Sequence, residues 1–91
     1  MPEDAADRTA PEQRGTGRSE AVVRFWLDEE GWGVVDCADT PGGCWVHFTV
    51  IQADGYRSLI DGETVEVDWE RPGFDQDGFA FRALSVWLRP R

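Results

Sequence analysis

From Ala21 onward the chain is punctuated. Short runs rich in β-branched and aromatic residues alternate with turns built from Gly, Pro and Asp, about one run every 8–12 residues. The runs fall at 21–27 (AVVRFWL), 31–37 (GWGVVDC), 44–50 (CWVHFTV), 64–70 (TVEVDWE) and 79–88 (FAFRALSVWL). None sustains a helical period, and in 64–70 strict alternation puts Val65, Val67 and Trp69 on one face. An all-β domain follows. Five short strands with one long connection after the third suit a small antiparallel closed barrel, because closure removes the unpaired sheet edges. Residues 1–19 contain no aromatic, Val, Leu or Ile. Such a segment lacks the apolar surface to offset the entropy of ordering it, so a disordered tail over 1–19 and a barrel domain over 20–91 are expected.

Size and charge narrow the function. A chain of 91 residues makes one small domain with a limited core and little room for a deep catalytic pocket, so a binding module is the better expectation. Nine Arg and no Lys stand against 18 Asp and Glu, a net charge of −9. Net acidity argues against tight, purely electrostatic binding of phosphate backbones, although the local potential at a site decides the matter. No stretch has the length and apolarity of a membrane span, and the N-terminus lacks the apolar core of a secretory signal. A cytoplasmic protein with no membrane association is expected.

The aromatic residues carry the functional signal. There are five Trp, five Phe and one Tyr, and Phe25, Trp26, Trp32, Trp45, Phe48 and Tyr56 fall in the first three strands and the connection after them. With Val35 and Val46 pointing inward, alternation places Trp32, Trp45 and His47 together on the outer face. Two Trp and a His on an exposed sheet are costly in water unless something stacks on them. Flat rings flanked by Gly33, which would admit an approaching group, suit unstacked bases. The plainer reading, barrel-wall packing, applies better to Trp69 and Trp87.

These residues resemble a known family. Glu30-Gly31-Trp32-Gly33-Val34-Val35 resembles K-G-F-G-F-I, and Cys44-Trp45-Val46-His47-Phe48 resembles V-F-V-H-F, the two RNA-binding motifs of the bacterial cold-shock proteins. Val23-Arg24-Phe25-Trp26-Leu27 is similar to that family's opening strand, and the connection from Ile51 to Leu59, with Asp61-Gly62, follows its wording closely. The resemblance implies an OB-fold-like five-stranded barrel that binds single-stranded RNA or DNA, preferably pyrimidine-rich, as a monomeric RNA chaperone or regulator of transcription or translation. Carried over position by position, the nucleic-acid-binding residues are Arg24, Phe25, Trp32, Trp45, His47, Phe48 and Tyr56. Val34 replaces an aromatic, Glu30 replaces a Lys, Leu27 replaces an Asn, and the loop 71–78 departs from the family. Alternation alone would put Phe25 beside core-facing Val23, and a bend in the first strand would be needed to expose it.

Catalysis finds no candidate: no nucleophile–base pair, phosphate loop or carboxylate pair stands out. Two Cys and one His fall short of a zinc ligand set, so neither a metal nor a cofactor is expected. Cys37 and Cys44 could approach across the second hairpin, but free thiols are the simpler reading. The alternative to single-strand binding is an acidic protein-interaction or regulatory barrel with most nucleic-acid affinity lost. Glu30 and Val34 favour that alternative; Trp32, Trp45 and His47 oppose it.

Overall fold

A computed structural model describes residues 15–89. Six strands follow in order: β1 (Thr16–Leu27), β2 (Trp32–Asp36), β3 (Cys44–His47), β4 (Ile51–Gln52), β5 (Thr64–Glu70) and β6 (Phe81–Leu88). The sheet order is β3-β2-β1-β5-β6-β4, and β3 also pairs with β6, which closes a five-strand ring with two-residue β4 attached to β6. The expected antiparallel arrangement holds for β1–β2, β2–β3, β1–β5 and β5–β6, but β3 meets β6 in parallel. Parity requires this. Strand directions cannot alternate all the way round a ring of five, so one seam must be parallel. Short β4 pairs with β6 in the same sense.

β1 starts earlier than the composition implied. Thr16, Gly17, Arg18 and Ser19 pair with Glu70, Trp69, Asp68 and Val67 of β5, so the disordered tail expected over 1–19 gives way to strand at Thr16. Residues 1–14 of that expectation lie outside the described residues. The third predicted run also divides. It leaves the sheet after His47, makes a 3₁₀ turn over Phe48–Val50, and re-enters at Ile51. The turn carries the chain to the point where Ile51 becomes fully buried.

A bulge re-aims the end of β1. Val23 pairs with Val35 but Phe25 pairs with Val34, leaving Arg24 as the extra residue. This is the bend that turns Phe25 to the outer face, where it is half-buried. β5 begins only at Thr64, so the β1 backbone beyond Val22 needs other partners on that side. The connection supplies them. Gly62 N–H donates to Val23 C=O at 2.7 Å, Val23 N–H donates to Glu63 C=O at 2.9 Å, and Asp61 Oδ1 accepts from Trp26 N–H at 3.0 Å.

The core is built mainly from valines: Val23, Val35, Val46, Val65, Val67 and Val86 are essentially inaccessible, with Ile51, Leu59 and Phe81 among them. Each such side chain contributes about 1.5–3 kcal/mol relative to exposure, so few can be spared in so small a barrel. Trp69 packs on this core edge-on to Phe81, ring centroids 5.7 Å apart. Gly17 makes room for it, since a Cβ there would stand 2.6 Å from the indole. Gly33 acts likewise, and the expectation that it admits a ligand is corrected. It is buried, and a Cβ on it would meet Phe25 C=O at 2.4 Å and the Trp26 ring at 2.6 Å. Both thiols are free. Burial pushes Cys44 up to about 12, so its reactive thiolate is suppressed at neutral pH. No helix among the described residues is long and apolar enough to cross a membrane.

Candidate nucleic-acid interface

Pairing on the outer face of β1–β2–β3 fixes two cross-strand rows, Phe25–Val34–Trp45 and Leu27–Trp32–His47. Directly opposite residues share a face, so the rows bring six outward side chains into one patch. The rings then link diagonally. Phe25 meets Trp32 edge-on at 5.7 Å, Trp32 lies against Trp45 at 6.2 Å and 25° between planes, and Trp45 against His47 at 5.8 Å and 23°. Phe48, starting the 3₁₀ turn, extends the run at 4.7 Å from His47. The small angles of the middle pairs hold three rings nearly parallel.

The surface is held from its edges. Trp45 Nε1–H donates to Asp77 Oδ2 at 2.9 Å. Asp77 reaches it from a tight hairpin in which Gln76 bridges Phe79, with Asp77 at φ 52° and Gly78 at φ 89°. Two successive positive φ values are the Asp-Gly signature of a type I′ turn. His47 is anchored too: its Nδ1 lies 2.8 Å from Thr49 Oγ1 and 3.3 Å from Thr49 N. Val34 stands inside the patch yet is fully buried, between Phe25 and Trp45 and close to Arg24 and Phe79 around Gly43. Its side chain is a filler beneath the rings rather than an open position.

Of the seven residues expected to bind, Phe25, Trp32, Trp45, His47 and Phe48 form one connected run. Tyr56 stands apart in the connection, 76% exposed, its hydroxyl donating to Asp28. That contact holds the Asp28 carboxyl below its ordinary range, helped by Ser58 and Trp26, and holds the Tyr56 phenol above its own. A cleft of about 490 Å³ lies between Tyr56 and Phe48, lined also by Asp28, Glu29, Glu30 and Gly31. Arg24 is not directed at the rings: its guanidinium pairs with Asp36 at 2.6 Å and donates to Gly42 C=O at 3.1 Å. Hydrogen bonding from Arg24 holds the Asp36 carboxyl below its ordinary range.

Most guanidinium groups around the barrel are similarly occupied. Arg18 pairs with Asp68, Arg82 with Glu70 and Arg89 with Glu20. The site is thus rich in rings and poor in free cations. Asp77, Phe79 and Arg82, the last opposite Trp45 across the β3–β6 seam, were not singled out from the sequence as site neighbours. Asp77-Gly78 was the available signal, as a turn dipeptide, but nothing in it specifies which ring the turn approaches. Among the described residues no group of three or more His, Cys, Asp or Glu is placed to hold a metal ion.

Comparison with known proteins gives the same picture. The family described as the 'Cold-shock' DNA-binding domain matches residues 19–79. A cold shock-like protein of Aquifex aeolicus is 37% identical over 47 residues, 52% of this chain and 67% of that protein. The cold shock-like protein CspC of Bacillus cereus is 41% identical over 46 residues, 50% of this chain and 69% of the relative. Glycine-rich protein 2 of Nicotiana sylvestris is 36% identical over 56 residues, which cover 62% of this chain but only 26% of the plant protein.

Proposed function

The chain belongs to the cold-shock domain family, and from that premise we propose that it binds single-stranded RNA or DNA by stacking bases on Phe25, Trp32, Trp45, His47, Phe48 and Tyr56. The observation that carries this reading is the connected run of rings on the outer face of β1–β3, with Trp32, Trp45 and His47 nearly parallel. Each stacked base contributes about 1–3 kcal/mol with little regard to sequence, so a few rings suffice for useful affinity without a basic groove. Pyrimidine-rich strands are the expected ligand. Holding such strands open makes the protein an RNA chaperone or a regulator of transcription or translation. Arg24, tied to Asp36, contributes chiefly to the shape of the site.

Titrating intrinsic Trp fluorescence with oligo-thymidine and oligo-uridine, at low and at physiological salt, tests this. Quenching that persists at physiological salt is expected. No quenching even at low salt would overturn the reading. The result would then favour an acidic protein-interaction barrel, a use consistent with the carboxylates that occupy Arg18, Arg24, Arg82 and Arg89.

A further inference from the structure

The cleft beside Phe48 differs in chemistry from the surface it adjoins. Its walls are two rings, Phe48 and Tyr56, and it continues the stacking run, since Phe48 is in contact with His47. Its volume, about 490 Å³, falls in the range of small-ligand sites. Its geometry is braced. Gly31 sits at φ 80°, where a Cβ would stand 3.0 Å from the Phe48 ring, and the Tyr56 hydroxyl is fastened to Asp28. Asp28 also accepts from Trp26 Nε1–H at 3.0 Å, so both of its oxygens are engaged. Glu29 and Glu30, by contrast, line the cleft with no side-chain partner among the described residues.

Free carboxylates offer only hydrogen-bond acceptors and repel phosphate. Whatever part of a strand enters the cleft must therefore be a base, with its backbone held outside, and the base edge must present donors. Cytosine presents an N4 amino group where uracil and thymine present the O4 acceptor, and Glu and Asp are natural acceptors for that amino group. A uracil in the same pose would set O4 against a carboxylate. Arg57 is the sole cation of the lining and offers the nucleotide's phosphate a partner at the rim.

We propose that the cleft between Phe48 and Tyr56 reads one base of the bound strand and, through Glu29 and Glu30, selects cytosine over uracil and thymine. The inference rests on the single-strand reading above, and its test separates the two. Anisotropy of labelled oligo-deoxycytidine and oligo-deoxythymidine of equal length, at near-neutral pH and fixed salt, should show the cytosine strand bound about tenfold more tightly. The double variant Glu29→Gln, Glu30→Gln should bring the ratio toward one while tightening both complexes, because two repelling charges are gone. Equal affinities in the parent protein, or a ratio the double variant leaves unchanged, would overturn cytosine selection and leave stacking standing. Failure to bind either strand would overturn the stacking reading and the cleft's role with it.

Discussion

The barrel exposes two sheet faces, and they treat tryptophan differently. On the outer face of β1–β3, Trp45 lies against both Trp32 and His47, and no guanidinium among the described residues stacks on these rings. Where β1, β5 and β6 run side by side, Trp87 stands outward but carries the Arg18 guanidinium 4.3 Å above its ring, and Arg18 is fixed in turn by Asp68 at 2.7 Å. Charged residues stand beside Trp87, Glu20, Glu66 and Arg89, with Glu20 and Arg89 paired, together with the exposed aliphatic Val22. An exposed indole can thus be capped with a cation or left open for a ligand. One fold does both, and the open face is the one that matches the family's motifs.

The sharpest way to break that division is to remove one indole from each face. Trp45→Ala should weaken strand binding about 10- to 100-fold, as expected for about 1–3 kcal/mol of stacking, while leaving the fold intact. Trp87→Ala should leave binding within about twofold. Anisotropy of a labelled strand reads both without relying on the indoles removed. Equal losses in the two variants would abolish the functional distinction between the faces.

A second substitution tests what supports the open face from within. Gly33 lies beneath the Trp26 ring and against Phe25 C=O, so Gly33→Ala must displace backbone. A loss of about 1–3 kcal/mol in unfolding free energy is expected, read by denaturant titration, as for other overpacked sites. Unchanged stability would mean that β1 and β2 give way more easily than the bulge at Arg24 implies.

Much of this was legible in the sequence, and the exceptions have physical causes. The run 64–70 matches β5 residue for residue because its alternation is uninterrupted and both flanks are turns. The outward placement of Trp32, Trp45 and His47 followed from period two once Val35 and Val46 were set inward. Strand at Thr16 was hidden because Thr16–Ser19 gain order from pairing with β5 and from Gly17 lying under Trp69, neither of which leaves an apolar pattern. Arg24 was expected among the binding residues only from the family resemblance. Its engagement by Asp36 depends on a bulge that puts the two within reach, and local sequence does not record that. The cleft was invisible for the same reason, since Phe48 and Tyr56 flank it from either end of the seven intervening residues 49–55.

Arg24 also gives a third, smaller test. With most of the guanidinium groups occupied, few phosphates are neutralised, and the log–log dependence of affinity on salt should be shallow. Asp36→Asn releases Arg24 at the edge of the ring surface. It should tighten binding a few-fold and steepen the salt slope by about 0.7, the increment for one further phosphate on a single strand. A steep slope in the parent protein would mean that the carboxylates surrender their arginines to the ligand, and that the open face is less cation-poor than its ion pairs indicate.

The smallest effect concerns the contact that holds Tyr56 at the cleft. The phenol is raised chiefly by its hydrogen bond to Asp28, and the Asp28 carboxyl is lowered chiefly by the same bond. A lowered carboxyl gives stability that is present above its unfolded pKa and lost as pH falls through the depressed folded value. A raised phenol gives stability that is present below its unfolded pKa and lost as pH rises through the raised one. The contact therefore persists across neutral pH and opens at both extremes, first from Asp28 protonation in acid and then from Tyr56 ionisation in alkali. The chain has a single Tyr, so phenolate absorbance during alkaline titration reports this residue alone. Asp28→Asn keeps a hydrogen-bond acceptor but removes the charge, and should bring the Tyr56 midpoint down toward the ordinary phenol value. The same midpoint in both proteins would show that Tyr56 swings free of Asp28 in solution. The wall of the cleft would then be a mobile ring, and base selection there would fall to Phe48 and the two glutamates.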